Sequence, residues 1–147
     1  MQPSVKLIAA VGRSGQLGLD GGLPWGDRFP EDRRRFRELT RDGIVVVGFR
    51  TWFSVAKLDG TAGRKFYAPN RHDTPEQVIT RLRRYGDDRT IWIAGGAATY
   101  RKWLPVVQEC HISILDYDGP CDVVMPPLWV PRPVSPDDWR TSHGPAP

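Results

Sequence analysis

Short apolar runs alternate with charged, mixed stretches along the whole chain. Val5–Val11 is a nearly continuous apolar run with small residues toward its end, the pattern of a buried strand. Gly12 to Gly22 holds five glycines, at positions 12, 15, 18, 21 and 22, and predicts a mobile loop. Pro30 opens a helix that runs to about Thr40, since proline is tolerated in a first helical turn. After the Asp42-Gly43 turn, Ile44-Val45-Val46-Val47 is β-branched or aliphatic throughout and reads as a strand buried on both faces. Arg50–Val55 predicts a short helix and Lys65–Ala68 a strand ended by Pro69-Asn70. Thr74-Pro75-Glu76-Gln77 has the composition of a capping box, and Val78, Leu82 and Tyr85 keep one helical face apolar as far as Gly86. Thr90–Ala94 is a further buried strand, Ala97–Leu104 a helix closed by Pro105, and Cys110–Asp116 a long strand. Strands and helices that alternate in this way predict an α/β protein with a doubly wound, mostly parallel central sheet flanked by helices. The expected organisation is one domain over residues 1–147, with 142–147 as a frayed tail.

Composition narrows the class. With 147 residues, 39% of them apolar, the chain is long and apolar enough to bury a core. No apolar run reaches membrane-spanning length, and the N-terminus lacks signal-peptide anatomy, which predicts a cytoplasmic protein without a membrane partner. Cys110 and Cys121 form no metal-binding or CxxC spacing and the three histidines are scattered, so the expectation is reduced thiols and no metal. The net charge of +4 favours anionic ligands. The basic residues are dispersed and no nucleic-acid motif is present, which favours a small phosphorylated or carboxylated ligand over nucleic acid. The cluster Arg33-Arg34-Arg35-Arg37 reads as a solvated helix face.

Candidate chemistry starts at Asp32. It stands behind Leu23-Pro24-Trp25 and shares a helical face with Phe36, four residues on. A carboxylate beside an apolar wall loses hydration and its pKa rises, which yields an acid able to handle protons near neutral pH. Spacing alone equally fits a surface charge. Two strand–glycine–helix junctions, Val47-Gly48-Phe49-Arg50-Thr51 and Ala94-Gly95-Gly96-Ala97, bring free backbone N–H groups to the ends of buried strands. A pair of such junctions suits the pyrophosphate of a dinucleotide, although neither is a GxGxxG fingerprint.

Together these segments resemble dihydrofolate reductase. The resemblance is carried by Leu7-Ile8-Ala9-Ala10, Gly18 through Leu23-Pro24-Trp25, Pro30-Glu31-Asp32 with Phe36, Val47-Gly48-Phe49-Arg50-Thr51-Trp52, Gly63-Arg64-Lys65, Ala94-Gly95-Gly96-Ala97 with Tyr100, and Asp122 with Pro126. An echo follows at Pro136-Asp137-Asp138-Trp139. The implied activity is hydride transfer from NADPH to C6 of 7,8-dihydrofolate, with protonation at N5. The resemblance implies that Asp32 binds the pterin and assists that protonation, that Ser113 hydrogen-bonds near it, and that Trp25 orders a water there. It also implies that Ile8, Phe36 and Val55 line the substrate wall and that Arg64 grips a carboxylate of the substrate tail. On the cofactor side, Ala10 and Leu17 would line the nicotinamide pocket. Thr51 would cap a helix against the pyrophosphate, with Gly95-Gly96, cis in the family, opposite. Arg50 would face the adenosine 2′-phosphate. Gly48, Asn70, Arg71, Ala97 and Tyr100 complete the implied cofactor set, and the Gly12–Gly22 loop would act as a lid.

The departures shape what remains open. Phe49 stands where the family carries an arginine for cofactor phosphate, Ala98 where a longer residue is frequent, Thr61 in place of an apolar contact, and Arg33 where a hydrophobe lines the pocket. A strand is skipped between Arg71 and Thr74, and the C-terminal hairpin is missing, so edge strands are shortened or lost. Uncovered edges invite pairing, which predicts either a monomer whose edge is covered by Pro126–Pro136 or a homodimer that does the covering. Arg33 and Thr61 keep a second reading open, a reductase of the same fold acting on another pterin, a pyrimidine or an iminium. A silent nucleotide-binding protein is the third, and it is disfavoured by Asp32, Trp25 and Arg64 occurring together.

Overall fold

The computed structural model describes residues 4–126. In chain order the elements are β1 (Val5–Val11), β2 (Gln16–Gly18), α1 (Pro30–Leu39), β3 (Ile44–Val46), α2 (Phe49–Val55), β4 (Lys65–Tyr67), α3 (Pro75–Arg84), β5 (Ile91–Ile93), α4 (Ala97–Trp103), β6 (Glu109–Ile114) and β7 (Val123–Val124). Five strands form a sheet in the order β4-β3-β5-β1-β6, and every pairing in it is parallel. Parallel neighbours require crossovers, and the helices provide them.

Side-chain alternation decides how the layers pack. Leu7, Ala9, Val11, Ile44, Val46, Ile91 and Ile93 point to one face, where they meet Val78 and Leu82 of α3 and Tyr100 and Trp103 of α4. Val45, Val47 and Phe66 point to the other, against Phe36 of α1 and Trp52 and Val55 of α2. Both faces are therefore covered, which is why the β3 run is apolar without interruption. The Thr74 capping box forms as its composition predicts: the hydroxyl accepts from the Gln77 N–H, and the Gln77 side chain accepts from the Thr74 N–H. Such a cap contributes about 1 kcal/mol.

Three expectations change. Tyr85 does not extend the apolar face of α3. The helix ends at Arg84, and Tyr85, turned out by the cap, is 82% exposed. Ile79 packs on the core in its place. The glycine-rich stretch is not merely a loop. Gln16–Gly18 pairs antiparallel with Val123–Val124, and buried Gln16 donates to Asp118 and to the Gly119 carbonyl. The arginine run is not uniformly solvated either: Arg35 is half-buried, and burial lowers its pKa. The sheet's outer strands are β4 and β6. Most of the segment expected to cover an edge, Pro126–Pro136, lies outside the described residues, as do the Pro136–Trp139 echo and the 142–147 tail. No helix among the described residues is long and apolar enough to cross a membrane. Both cysteines are free thiols, and Cys110 is buried in the core.

Candidate active site

The parallel sheet gathers the carboxyl ends of its strands on one side, where α/β proteins bind ligands. Ser113 on β6 lies in register with Ala10 on β1, and both point to the face that α1 covers. Asp32, in the first turn of α1, is half-buried, and its carboxylate accepts the Ser113 hydroxyl. Burial raises the Asp32 pKa above the usual carboxylate value, while the Ser113 bond and the Arg35 charge hold the rise back. The buried Tyr100 hydroxyl donates to the Ile8 carbonyl at 2.8 Å. Its own pKa is raised by burial and then by the nearby Asp32 charge, so Asp32, Ser113, Ile8, Ala10 and Tyr100 surround one small region.

Around that region the walls are apolar. Trp25 is buried edge-on against Tyr117 at 5.6 Å and against Phe29 at 6.2 Å, with Ala10 packed beside them. Phe36 and Val55 are half-buried and pack in one cluster with Val45, Val47 and Phe66. Leu17, half-buried on β2, packs on the main core.

The two glycine junctions meet. The Gly48 N–H donates to the Gly95 carbonyl at 2.8 Å, and the Gly95-Gly96 peptide is cis. Gly95 has φ +122°, a conformation that side-chain-bearing residues rarely adopt. A Cβ on Gly48 would stand 2.8 Å from the Thr99 hydroxyl, so this cradle stays open only because the residue is glycine. Thr51 does not cap α2 as expected. Gly48 is the N-cap, its carbonyl takes the Trp52 N–H, and the helix starts at Phe49. The Thr51 hydroxyl instead lies 3.8 Å from where a Cβ on Gly96 would be. Ala97 begins α4 directly behind the glycines. Arg50, Asn70 and Arg71 are exposed; Asn70 is engaged in a turn with Asp73, and the Arg71 carbonyl accepts from Lys102.

Arg64 is only 3% exposed. Its Nε donates to the Thr61 carbonyl at 3.0 Å and its Nη2 to the Thr61 hydroxyl at 2.7 Å, while Nη1 is buried with no partner among the described residues. Such a group is stable only with an acceptor in reach.

A family profile for dihydrofolate reductase matches residues 4–142. The chain belongs to the dihydrofolate reductase family. It is 35% identical over 130 residues to the dihydromethanopterin reductase of Methylorubrum extorquens, covering 86% of this chain and 93% of that protein. It is 33% identical over 121 residues to the dihydrofolate reductase of Mycobacterium tuberculosis, covering 79% and 74%. It is also 33% identical over 124 residues to the dihydrofolate reductase of Mycobacterium leprae, covering 76% and 72%. Membership in a reductase family makes this chain an oxidoreductase.

Sequence reasoning passed over several residues at this site. Tyr117 backs Trp25 and donates its hydroxyl to the Pro120 carbonyl. Arg35 supplies the positive charge that Asp32 senses. Asp122, singled out with Pro126 in the sequence but given no role there, accepts the Asp20 N–H and holds the end of the glycine-rich segment. The alternating acids of Asp116-Tyr117-Asp118 before the Gly119-Pro120 turn were the available signal for this corner.

Proposed function

We propose that this protein is a cytoplasmic, NADPH-dependent reductase of a 7,8-dihydropterin, with 7,8-dihydrofolate as the leading substrate. The observation that carries the reading is Asp32: a half-buried carboxylate with a raised pKa, bonded to Ser113 between apolar walls and close to the glycine cradle. The cradle of Gly48, Gly95 and Gly96, which a Cβ at Gly48 would fill, fits a dinucleotide pyrophosphate, with Thr51 and Ala97 at its border. Ala10 and Leu17 would hold the nicotinamide, and Arg50, Asn70, Arg71 and Tyr100 would complete the cofactor site. When bound, the cofactor supplies the hydride.

The chain's own residues do the rest. Asp32, held by Ser113, binds the pterin's amidine edge and favours proton delivery to N5, which balances the hydride added at C6. Trp25 orders a water beside the pterin. Ile8, Phe36 and Val55 enclose the ring and exclude bulk water, which strengthens the carboxylate's interaction with the substrate. Arg64 takes a carboxylate of the substrate tail on the Nη1 that has no partner among the described residues.

The 35% identity to a dihydromethanopterin reductase favours a second reading in which the physiological substrate is a different dihydropterin. The deciding experiment follows NADPH oxidation with dihydrofolate and with other 7,8-dihydropterins. Turnover of dihydrofolate alone supports the first reading, turnover of another pterin with dihydrofolate ignored supports the second, and cofactor binding without turnover of any pterin rejects both.

Two further outcomes are expected. Arg64→Leu raises KM for dihydrofolate on the order of ten- to a hundredfold, the effect of losing a charge-assisted bond of about 1.5–3 kcal/mol, and leaves the NADPH dissociation constant unchanged. An unchanged KM places the tail elsewhere. NADPH binds more tightly than NADH through Arg50 and Arg71, but modestly, because Phe49 and Ala98 contribute no cation. Equal dissociation constants at one salt concentration remove the role given to these arginines.

A further inference from the structure

The start of α1 is tied to the β6 chain twice. The direct tie is the Ser113 hydroxyl on the Asp32 carboxylate. The second is made further along the same chain, at Tyr117. The buried Tyr117 ring stands edge-on to Trp25 at 5.6 Å, and Trp25 stands edge-on to Phe29 at 6.2 Å. Arg28 closes this set from outside: its guanidinium lies over the Phe29 ring at 5.6 Å and over the Tyr117 ring at 5.8 Å. Both distances are within the reach of a cation–π contact. Arg28 is exposed, and no ion pair to it occurs among the described residues. Its recorded side-chain contacts are thus the two rings.

The segment that carries Trp25 and leads into α1 has little else to hold it. Its backbone makes local turns, with the Gly26 N–H on the Leu23 carbonyl at 3.1 Å and the Arg28 N–H on the Trp25 carbonyl at 3.2 Å. Among the described residues, no backbone hydrogen bond joins residues 23–29 to the sheet. The pair of Asp27 with Arg33 ties the segment only to α1. Tyr117, by contrast, is well anchored: its hydroxyl donates to the Pro120 carbonyl, and its own carbonyl accepts the Arg13 N–H at 2.8 Å. The Asp32 N–H donates to the Phe29 carbonyl at 3.1 Å, so the place of Phe29 decides where α1 begins and where Asp32 stands. Edge-on aromatic pairs prefer a defined orientation as well as a distance, which suits them to fixing an indole.

We propose that Tyr117 and Arg28 are positioning residues for the reduction: clasped over Phe29 and Trp25, they fix the start of α1 against β6 and hold the Asp32 carboxylate and the Trp25 indole in their working geometry. This rests on the dihydropterin reading above. The pair acts through Trp25 and Asp32 rather than on the substrate. Contacts that are weak singly have a large kinetic effect here, because a shift of about 1 Å in a reacting group costs on the order of 10²-fold in rate.

The test measures single-turnover hydride transfer across pH, substrate KM, the NADPH dissociation constant and the urea midpoint in Tyr117→Leu, Tyr117→Phe, Arg28→Gln and Arg28→Lys. Tyr117→Leu is expected to slow hydride transfer about tenfold or more and Arg28→Gln about threefold to tenfold, with smaller changes in KM and none in NADPH binding. Tyr117→Phe keeps the ring and Arg28→Lys keeps the cation, so each recovers most of the loss. The pH midpoint of hydride transfer moves toward the ordinary carboxylate range in the Leu and Gln variants, because a loosened start of α1 lets water reach Asp32. Arg35 of α1, Ser113 of β6 and Tyr100 of α4, which face Asp32, are the same in every variant. A lowered urea midpoint with wild-type rate and pH midpoint means a structural role only and overturns the proposal. A Phe variant as slow as the Leu variant assigns the effect to the Pro120 bond and also overturns it. Should Tyr117→Leu not fold, Arg28→Gln, at an exposed position, decides alone. If no pterin is turned over, the dihydropterin reading fails separately. Titration of the Asp32 carboxyl carbon by NMR then decides the clasp: a lower midpoint in Arg28→Gln than in the wild type retains it, and equal midpoints overturn it.

Discussion

Asp32→Asn is expected to slow hydride transfer to dihydrofolate on the order of 10²-fold or more at neutral pH, with NADPH binding retained. The size is that of losing a positioned acid–base group. Asn keeps the shape and one hydrogen-bond acceptor for Ser113 but cannot hold a proton for N5. The wild-type rate falls as pH rises through an apparent pKa above the ordinary carboxylate value, because burial disfavours the ionised form. The variant lacks that dependence and its deficit narrows at low pH, where solvent acid supplies the proton. Stability moves in the opposite sense. The folded state binds the Asp32 proton more tightly than the unfolded state, so stability declines as pH rises from the unfolded pKa through the higher folded one. Asn removes that penalty, and the variant resists urea as well as or better than the wild type at neutral pH. Below the unfolded pKa the difference from this source vanishes. Pre-steady-state hydride transfer and urea midpoints across pH check both halves. Wild-type turnover in the Asn variant returns Asp32 to the role of an ordinary helix charge.

The parts of this fold that are legible in the sequence are those decided within a few residues. The Thr74 capping box, Pro30 at the start of α1 and the Ile44–Val46 strand each follow from local rules, and all are found. The β2–β7 ribbon is not legible. Gln16-Leu17-Gly18 sits among glycines, and its partner strand lies about a hundred residues away, as the Asp20 to Asp122 bond shows. Tyr85 was misread because periodicity carries no information about where a helix stops, and here Gly86 with φ +77° turns the chain away. Thr51 was misplaced for a related reason: the Gly48 N–H is taken by Gly95, a contact between two distant junctions, and this starts α2 before Arg50.

The candidate site divides in the same way. Asp32 and Phe36 were connected by helical spacing alone. The family resemblance pointed to Ser113, whose hydroxyl reaches Asp32 only because β6 pairs with β1 in a register that aligns it with Ala10. The burial of Arg64 was hidden, since it depends on the Thr61 turn closing over the guanidinium and on α1 above it. Charge counting likewise made Arg33, Arg34, Arg35 and Arg37 equivalent, whereas the fold pairs two of them, half-buries Arg35 and leaves Arg37 above Arg64.

The largest loss of stability is expected from Trp103→Ala. Trp103 ends α4 and is 2% exposed, in the cluster that joins Val5 and Leu7 of β1 to Ile91 and Ile93 of β5 and to Val107 beside β6. Truncating it removes an aromatic side chain from three elements at once and leaves a cavity that close-packed neighbours fill only in part. The expected cost is about 3–5 kcal/mol. A domain of this size is stable by about 5–15 kcal/mol, so the variant approaches the unfolding threshold at physiological temperature. The consequence reaches the candidate site, because α4 begins at Ala97, immediately after the glycine cradle. A cradle held by a loosened helix binds NADPH more weakly, even though Trp103 is remote from Asp32 in sequence. Tyr85→Ser is the matched control. It removes another large aromatic residue, but one that is 82% exposed, and its cost is within about 0.5 kcal/mol. Urea midpoints for the two variants, measured with NADPH titrations under folding conditions, separate the cases. Equal midpoints would mean that α4 is not anchored through Trp103.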